Sequence, residues 1–281
     1  MDYVNKKTTY DLPELSEEEK KLPLAKYYYD YPLHCIPPLQ RQILEAGPMK
    51  VEDAVPAQRW LDILQPTGYR NIEFGYCMMP DGSGYYAEYF IIPEHATPEM
   101  RKWYMHWCNV RYKGMKEESG NLRYKIWMPL DHWEHKYVNG VDRTDGIYAS
   151  GSLDLGASGI NTWEVSHEID LKEYGLTDEL EQQLKDAGCF FSAAVEELEG
   201  GGHHLVLRLG RPCPFGGIEM FNHEWIGYYA ENGKIIRDEN TPVSEEYLKN
   251  VLMHNTVEHL HQPTFLPDLY AEYKDQPIDA I

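Results

Sequence analysis

The chain has 281 residues, with Lys+Arg 26 against Asp+Glu 46 and a formal net charge of −20. That balance opposes phosphate backbones and anionic lipid, so nucleic-acid binding is excluded as the main role. Charged residues at 26% and hydrophobic ones at 42% are ordinary globular usage and exclude a disordered chain.

The opening stretch lacks the apolar core of a signal peptide, and no run approaches the roughly 18 apolar residues of a membrane span. Five scattered cysteines (Cys35, Cys77, Cys108, Cys189, Cys213) form no CxxC pair. The expectation is a soluble cytoplasmic protein in which any metal is held by His and carboxylates. The 22 Tyr against 7 Phe are compatible with a cavity for a flat, hydroxylated ligand, although tyrosine clusters also serve interfaces.

In chain order, residues 1–95 read as an irregular N-terminal extension in which ten prolines forbid long helices. Its Tyr27–Tyr31 run is expected to pack on the main body or on a second subunit. Short strands are expected over Asn71–Met79 and Tyr85–Ile92. Residues 96–281 read as the main domain. A helix starts behind Thr97 with Pro98 at its first position, and RYKIWM (Arg123–Met128) reads as a strand ended by Pro129.

A hairpin is expected from Gly151–Leu155 and Ile160–Ile169 around a Gly-rich turn, followed by an acidic helix near Thr177–Ala187. Strands over Phe190–Leu198, His203–Leu209, Gly217–Tyr229 and Lys234–Arg237 complete the sheet. A last helix is expected from Ser244 to His261, stopped by Pro263. Strands without βαβ alternation, then a long helix, define an α+β class.

The chemistry-bearing signals are distant in sequence. His254 and Glu258 are four apart and share one helix face, where an imidazole and a carboxylate can ligate one metal ion. Such a pair is also commonly a solvated couple. His261 lies near the same stripe, and His259 is expected to point elsewhere. His132, after Pro129, sits where a strand end can present a third ligand. Asp154, Glu164 and Glu168 on the hairpin are further carboxylate candidates, each with plain solvent exposure as its default. Tyr124 is placed to reach a ligand near His132, while His203, His204 and His223 read as turn or buried-strand histidines. GxSxG, P-loop, HExxH and GxGxxG patterns are all missing, so nucleophilic Ser or Cys hydrolysis has no support.

Four segments taken together carry a resemblance. They are the aromatic helix TPEMRKWYMHW (97–107), the string RYKIWMPLDH (123–132), the GIEM…WIG stretch (217–227), and His254…Glu258 followed by LPDLY (266–270). Over roughly residues 96–270 the chain resembles the 2,4-diacetylphloroglucinol hydrolase and phloretin hydrolase family. That resemblance implies a helix-grip fold, like the START domains and birch-pollen allergens, with a curved antiparallel sheet around a long C-terminal helix. It implies a zinc-dependent hydrolase that breaks the carbon–carbon bond between an acyl group and a phloroglucinol ring.

The family's two-His, two-Glu metal set maps onto His132, His254 and Glu258, with either Asp154 or Glu164 as the fourth ligand. Tyr124, His204, His223 and Glu258 are the expected catalytic groups. Tyr124, His135 and Tyr228 are the expected substrate contacts, with His135 standing where some members carry Asn. Phloretin is the favoured substrate, ahead of 2,4-diacetylphloroglucinol. A non-enzymatic polyphenol-binding protein and a zinc esterase or lactonase are the competing readings. The expected partner is a small polyphenol, with a homodimer as an option.

Overall fold

The computed structural model describes residues 12–34, 36–116, 119–137, 146–150, 163–198 and 201–278. In chain order its helices are α1 (Ala25–Tyr29), α2 (Pro38–Ala46), α3 (Pro98–Trp107), α4 (Leu122–Lys125), α5 (Asp178–Asp186) and α6 (Glu245–Tyr273). The strands are β1 (Gly75–Met78), β2 (Gly84–Ile92), β3 (His132–Tyr137), β4 (Gly146–Ser150), β5 (Trp163–Glu168), β6 (Phe190–Leu198), β7 (His203–Pro212), β8 (Ile218–Ile226), β9 (Tyr228–Glu231) and β10 (Lys234–Arg237). This is a mixed α/β protein with an antiparallel sheet and a long C-terminal helix.

The chain clusters into two compact units. The first comprises Met1–Ile36, Pro93–Glu164 and Met253–Ile281; the second comprises Pro37–Ile92 and Val165–Leu252. Each therefore draws segments from both sides of residue 95.

The second unit is built on strands in the order β1-β2-β8-β7-β6-β5. Register follows from alternation: Tyr85 faces Trp225, and Leu205 faces Trp225 from the other side. That face carries Leu205, Leu207, Leu209, Phe221 and Trp225, packed with Trp60, Ile63 and Leu184 into an apolar core. The opposite face is polar yet buried, with Tyr86, Glu88, Asn222 and Glu224 all at most 5% exposed. Gly84 lets the first turn of α6 approach, since a Cβ there would meet Leu248 at 2.6 Å.

The predicted Gly217–Tyr229 strand is two strands. Gly227, at φ +91°, breaks it, its N–H bonding the His203 carbonyl at 2.7 Å. β9 then pairs with β10 as a separate ribbon.

The first unit holds α1, α3, α4, the β3–β4 hairpin and most of α6. The N-terminal tyrosines pack within it: Tyr28 donates to the Pro129 carbonyl at 3.0 Å and Tyr27 to Glu272 at 2.8 Å.

Two expectations are corrected here. The Arg123–Met128 stretch is not a strand but begins with α4. Asn121 caps that turn, its side chain accepting from the Arg123 N–H at 3.1 Å. Residues on every side of the turn are buried, so the hydrophobic alternation carried no strand information. The last helix does not stop at His261. It runs through Pro263 and Pro267 to Tyr273. Each internal proline costs about 3 kcal/mol, but Phe265, Leu266 and Leu269 beyond the first are completely buried and offset it. The hairpin strand Gly151–Leu155 and its turn lie outside the described residues; of its partner, β5 is described.

Candidate functional site

The tight turn Trp127–Asp131 delivers His132 to the start of β3, its N–H bonding the Met128 carbonyl at 2.9 Å. α6 supplies His254 and Glu258 one turn apart. The side chains of His132, His254 and Glu258 converge, with one ligand atom from each lying within 4.8 Å of the others. His132 Nε2 is 3.1 Å and His254 Nε2 3.6 Å from Glu258 Oε2. All three residues are buried.

The outer nitrogens are held by oxygens. His132 Nδ1 lies 3.4 Å from the Tyr124 carbonyl, and His254 Nδ1 lies 2.5 Å from Asp131 Oδ2. An acceptor at each Nδ1 favours the proton there and leaves both Nε2 lone pairs aimed at the shared point. Two imidazole nitrogens and one carboxylate oxygen form a donor set that suits zinc or another first-row divalent ion. Burial alone would raise the Glu258 carboxyl, but the facing imidazoles of His132, His259 and His254 outweigh it and hold it down to about 2. The carboxylate is thus an anion at neutral pH.

Tyr124 is brought to the site by its ring, stacked on His132 at 3.8 Å and 3°. His135 follows, its ring 4.9 Å from Tyr124. His259 does not point elsewhere: its Nε2 is 3.4 Å from Glu258 Oε1. His261 leaves the metal stripe, with Nδ1 at 2.7 Å from the Trp127 carbonyl and Nε2 at 3.1 Å from that of Tyr31. Asp154 lies outside the described residues, as does the side chain of Glu164, whose backbone belongs to β5. Asp131 was missed as a contributor, although it immediately precedes the His the sequence singled out.

His204, His223 and Tyr228 belong to the second unit. His204 and His223 sit on opposite faces of its sheet. His223 Nδ1 is 2.6 Å from the Tyr85 hydroxyl, and the ring lines a small, water-sized pocket with Arg70, Glu73 and Arg211. Burial first, then the Arg70 charge, pushes His223 down to about 3. The Tyr228 hydroxyl donates to Asp81. His204 faces Glu196 and Glu224, a second group of converging donors in the described residues.

Residues 56–271 match the family described as the DAPG hydrolase PhiG domain, a stretch that includes His132, His254 and Glu258. The chain belongs to this family. It is an enzyme, a hydrolase acting on carbon–carbon bonds. The chain is 28% identical to a phloretin hydrolase of Eubacterium ramulus, over 92% of this chain and 93% of that protein. It is 23% identical to a 2,4-diacetylphloroglucinol hydrolase of a Pseudomonas species, over 89% and 88% of the two chains. The same identity links it to the enzyme of that name from Pseudomonas protegens, over 89% and 84%. Among the described residues, no helix is long and apolar enough to cross a membrane.

Proposed function

We propose that this enzyme is a zinc-dependent hydrolase that splits phloretin into phloroglucinol and 3-(4-hydroxyphenyl)propionate. The observation that carries the metal chemistry is the convergence of His132 Nε2, His254 Nε2 and Glu258 Oε2 with both Nδ1 atoms backed by oxygen. The substrate choice is supported by the higher identity to the Eubacterium relative; the two Pseudomonas relatives support 2,4-diacetylphloroglucinol as the second reading. The antiparallel sheet and the 29-residue α6 support a helix-grip arrangement.

His132 and His254 hold the ion through Nε2 and Glu258 through Oε2, with Asp154 or Glu164 as the fourth ligand. Bound zinc supplies a water of lowered pKa and polarises an acyl carbonyl. Asp131 keeps the His254 ring in the binding tautomer. Tyr124 is fixed by its stack on His132, and its hydroxyl, with His135, orients the ring hydroxyls of the substrate. Water adds to the acyl carbon, the bond to the ring carbon breaks with its electron pair going to the ring, and that carbon then takes a proton. Glu258, ionised at neutral pH, takes through Oε1 the proton lost by the adding water and returns it to that ring carbon, with His259 as the next group along.

The test is elemental analysis of the purified chain, then incubation with phloretin and with an aryl-ester analogue. Stoichiometric zinc and phloroglucinol release are expected. Cleavage of the ester alone would replace this reading with that of an esterase, and a metal-free chain that leaves both compounds intact would replace it with that of a binding protein.

A further inference from the structure

His261 is one turn of α6 beyond the converging donors, completely buried, and unused by the chemistry described above. Its Nδ1 lies 2.7 Å from the Trp127 carbonyl, and its Nε2 lies 3.1 Å from the Tyr31 carbonyl. Burial outweighs both carbonyls and holds the ring at about 4, below its ordinary 6.5. A neutral imidazole has one N–H to give, and the shorter contact assigns it to Nδ1. The Tyr31 carbonyl then closes the far side of the ring.

The carbonyl that accepts this bond opens the turn on which the metal chemistry depends. One residue on, the Met128 carbonyl takes the Asp131 N–H at 3.1 Å and the His132 N–H at 2.9 Å. The turn therefore presents two groups at once. His132 enters the donor set, and Asp131 reaches across to His254, with Oδ2 at 2.5 Å from Nδ1. Trp127 is gripped at a second point, its indole Nε1 donating to the Glu258 carbonyl at 3.1 Å. The indole stands edge-on to His132, with centroids 5.2 Å apart and planes at 81°. The stretch of α6 from Glu258 to His261 thus holds Trp127 by side chain and main chain together. Loss of the His261 donor leaves the Trp127 carbonyl to find another partner, which the turn can do only by moving.

We infer, resting on the reading of His132, His254 and Glu258 as the ion's ligands, that His261 is a positioning residue for the metal centre. By holding the Trp127 carbonyl it fixes the turn that presents Asp131 and His132 to α6. The imidazole of His261 acts through that turn, so it governs how tightly the ion is held and not which atoms hold it.

The experiment compares two amide side chains at this position in the full chain. An asparagine places its amide N–H near Nδ1 of the imidazole, and a glutamine reaches to Nε2. His261→Asn therefore keeps a donor for Trp127, whereas His261→Gln turns it toward Tyr31. Zinc affinity is read by competition with a chelating dye, with denaturant unfolding of the metal-free chains as the control for stability. His261→Gln is expected to weaken zinc binding by about 10–100-fold, while His261→Asn stays close to the parent chain. Undiminished affinity in a folded His261→Gln chain, or an equal loss in both variants, would overturn the inference. A parent chain that takes up no zinc would overturn the metal reading itself, and the inference with it. Should neither variant fold, nuclear magnetic resonance of the parent chain carrying ¹⁵N-labelled histidine decides. A His261 ring protonated at Nδ1 is expected at neutral pH, and a proton on Nε2 alone would overturn the inference.

Discussion

Asp131 Oδ2 lies 2.5 Å from Nδ1 of His254, joining the residue before β3 to the middle of α6. A carboxylate behind a ligating imidazole fixes its tautomer and raises its basicity. Asp131→Asn is therefore expected to keep the fold and lower zinc affinity by 10–100-fold, read by competition with a chelating dye. Unaltered affinity would show that the contact does not tune the ligand.

The length of α6 is open to a stability measurement. Leu269 lies two turns beyond the expected stop at His261 and is completely buried. Leu269→Ala should cost about 2–5 kcal/mol in denaturant unfolding. A loss below about 1 kcal/mol would place the residue outside a packed helix.

Acid sensitivity has an identifiable contributor in Asp238. Burial would raise its carboxyl, but the His203 hydrogen bond, the Asn240 N–H and the Thr241 hydroxyl outweigh it and hold it at about 2, below its ordinary 3.8. The folded state then binds the proton less readily than the unfolded state. Its contribution is present above about pH 4 and is lost as pH falls through 2. Asp238→Asn should cost about 1–2 kcal/mol at pH 7, and the gap to the parent should close near pH 2. A gap independent of pH would assign the effect to packing instead.

Gly227 makes a prediction about the break between β8 and β9. At φ +91°, a Cβ would also run into Arg237 Nη1, the group that donates to the Gly227 carbonyl. Gly227→Ala is expected to lose roughly 1–3 kcal/mol in the same unfolding assay. A neutral substitution would mean that the left-handed turn is not enforced.

These residues also show what the sequence could and could not reveal. His254 and Glu258 were legible because helical spacing alone puts them on one face, and His132 because a proline turn announces its position. RYKIWM alternates as a strand does, and that pattern conceals the helical turn of α4 that Asn121 caps. Proline rules ended α6 too early because they say nothing of the packing that Phe265 and Leu266 gain beyond the proline. Glu196, His204 and Glu224 come together only through the register of three strands, which local sequence does not encode.

The most direct measurement on the central claim is phloretin cleavage before and after metal removal. The chelator-stripped chain is predicted to lose turnover and to regain it with added Zn²⁺, whereas a folded His254→Ala chain is predicted to stay inactive. Full turnover by the stripped chain, or by His254→Ala, would contradict the account.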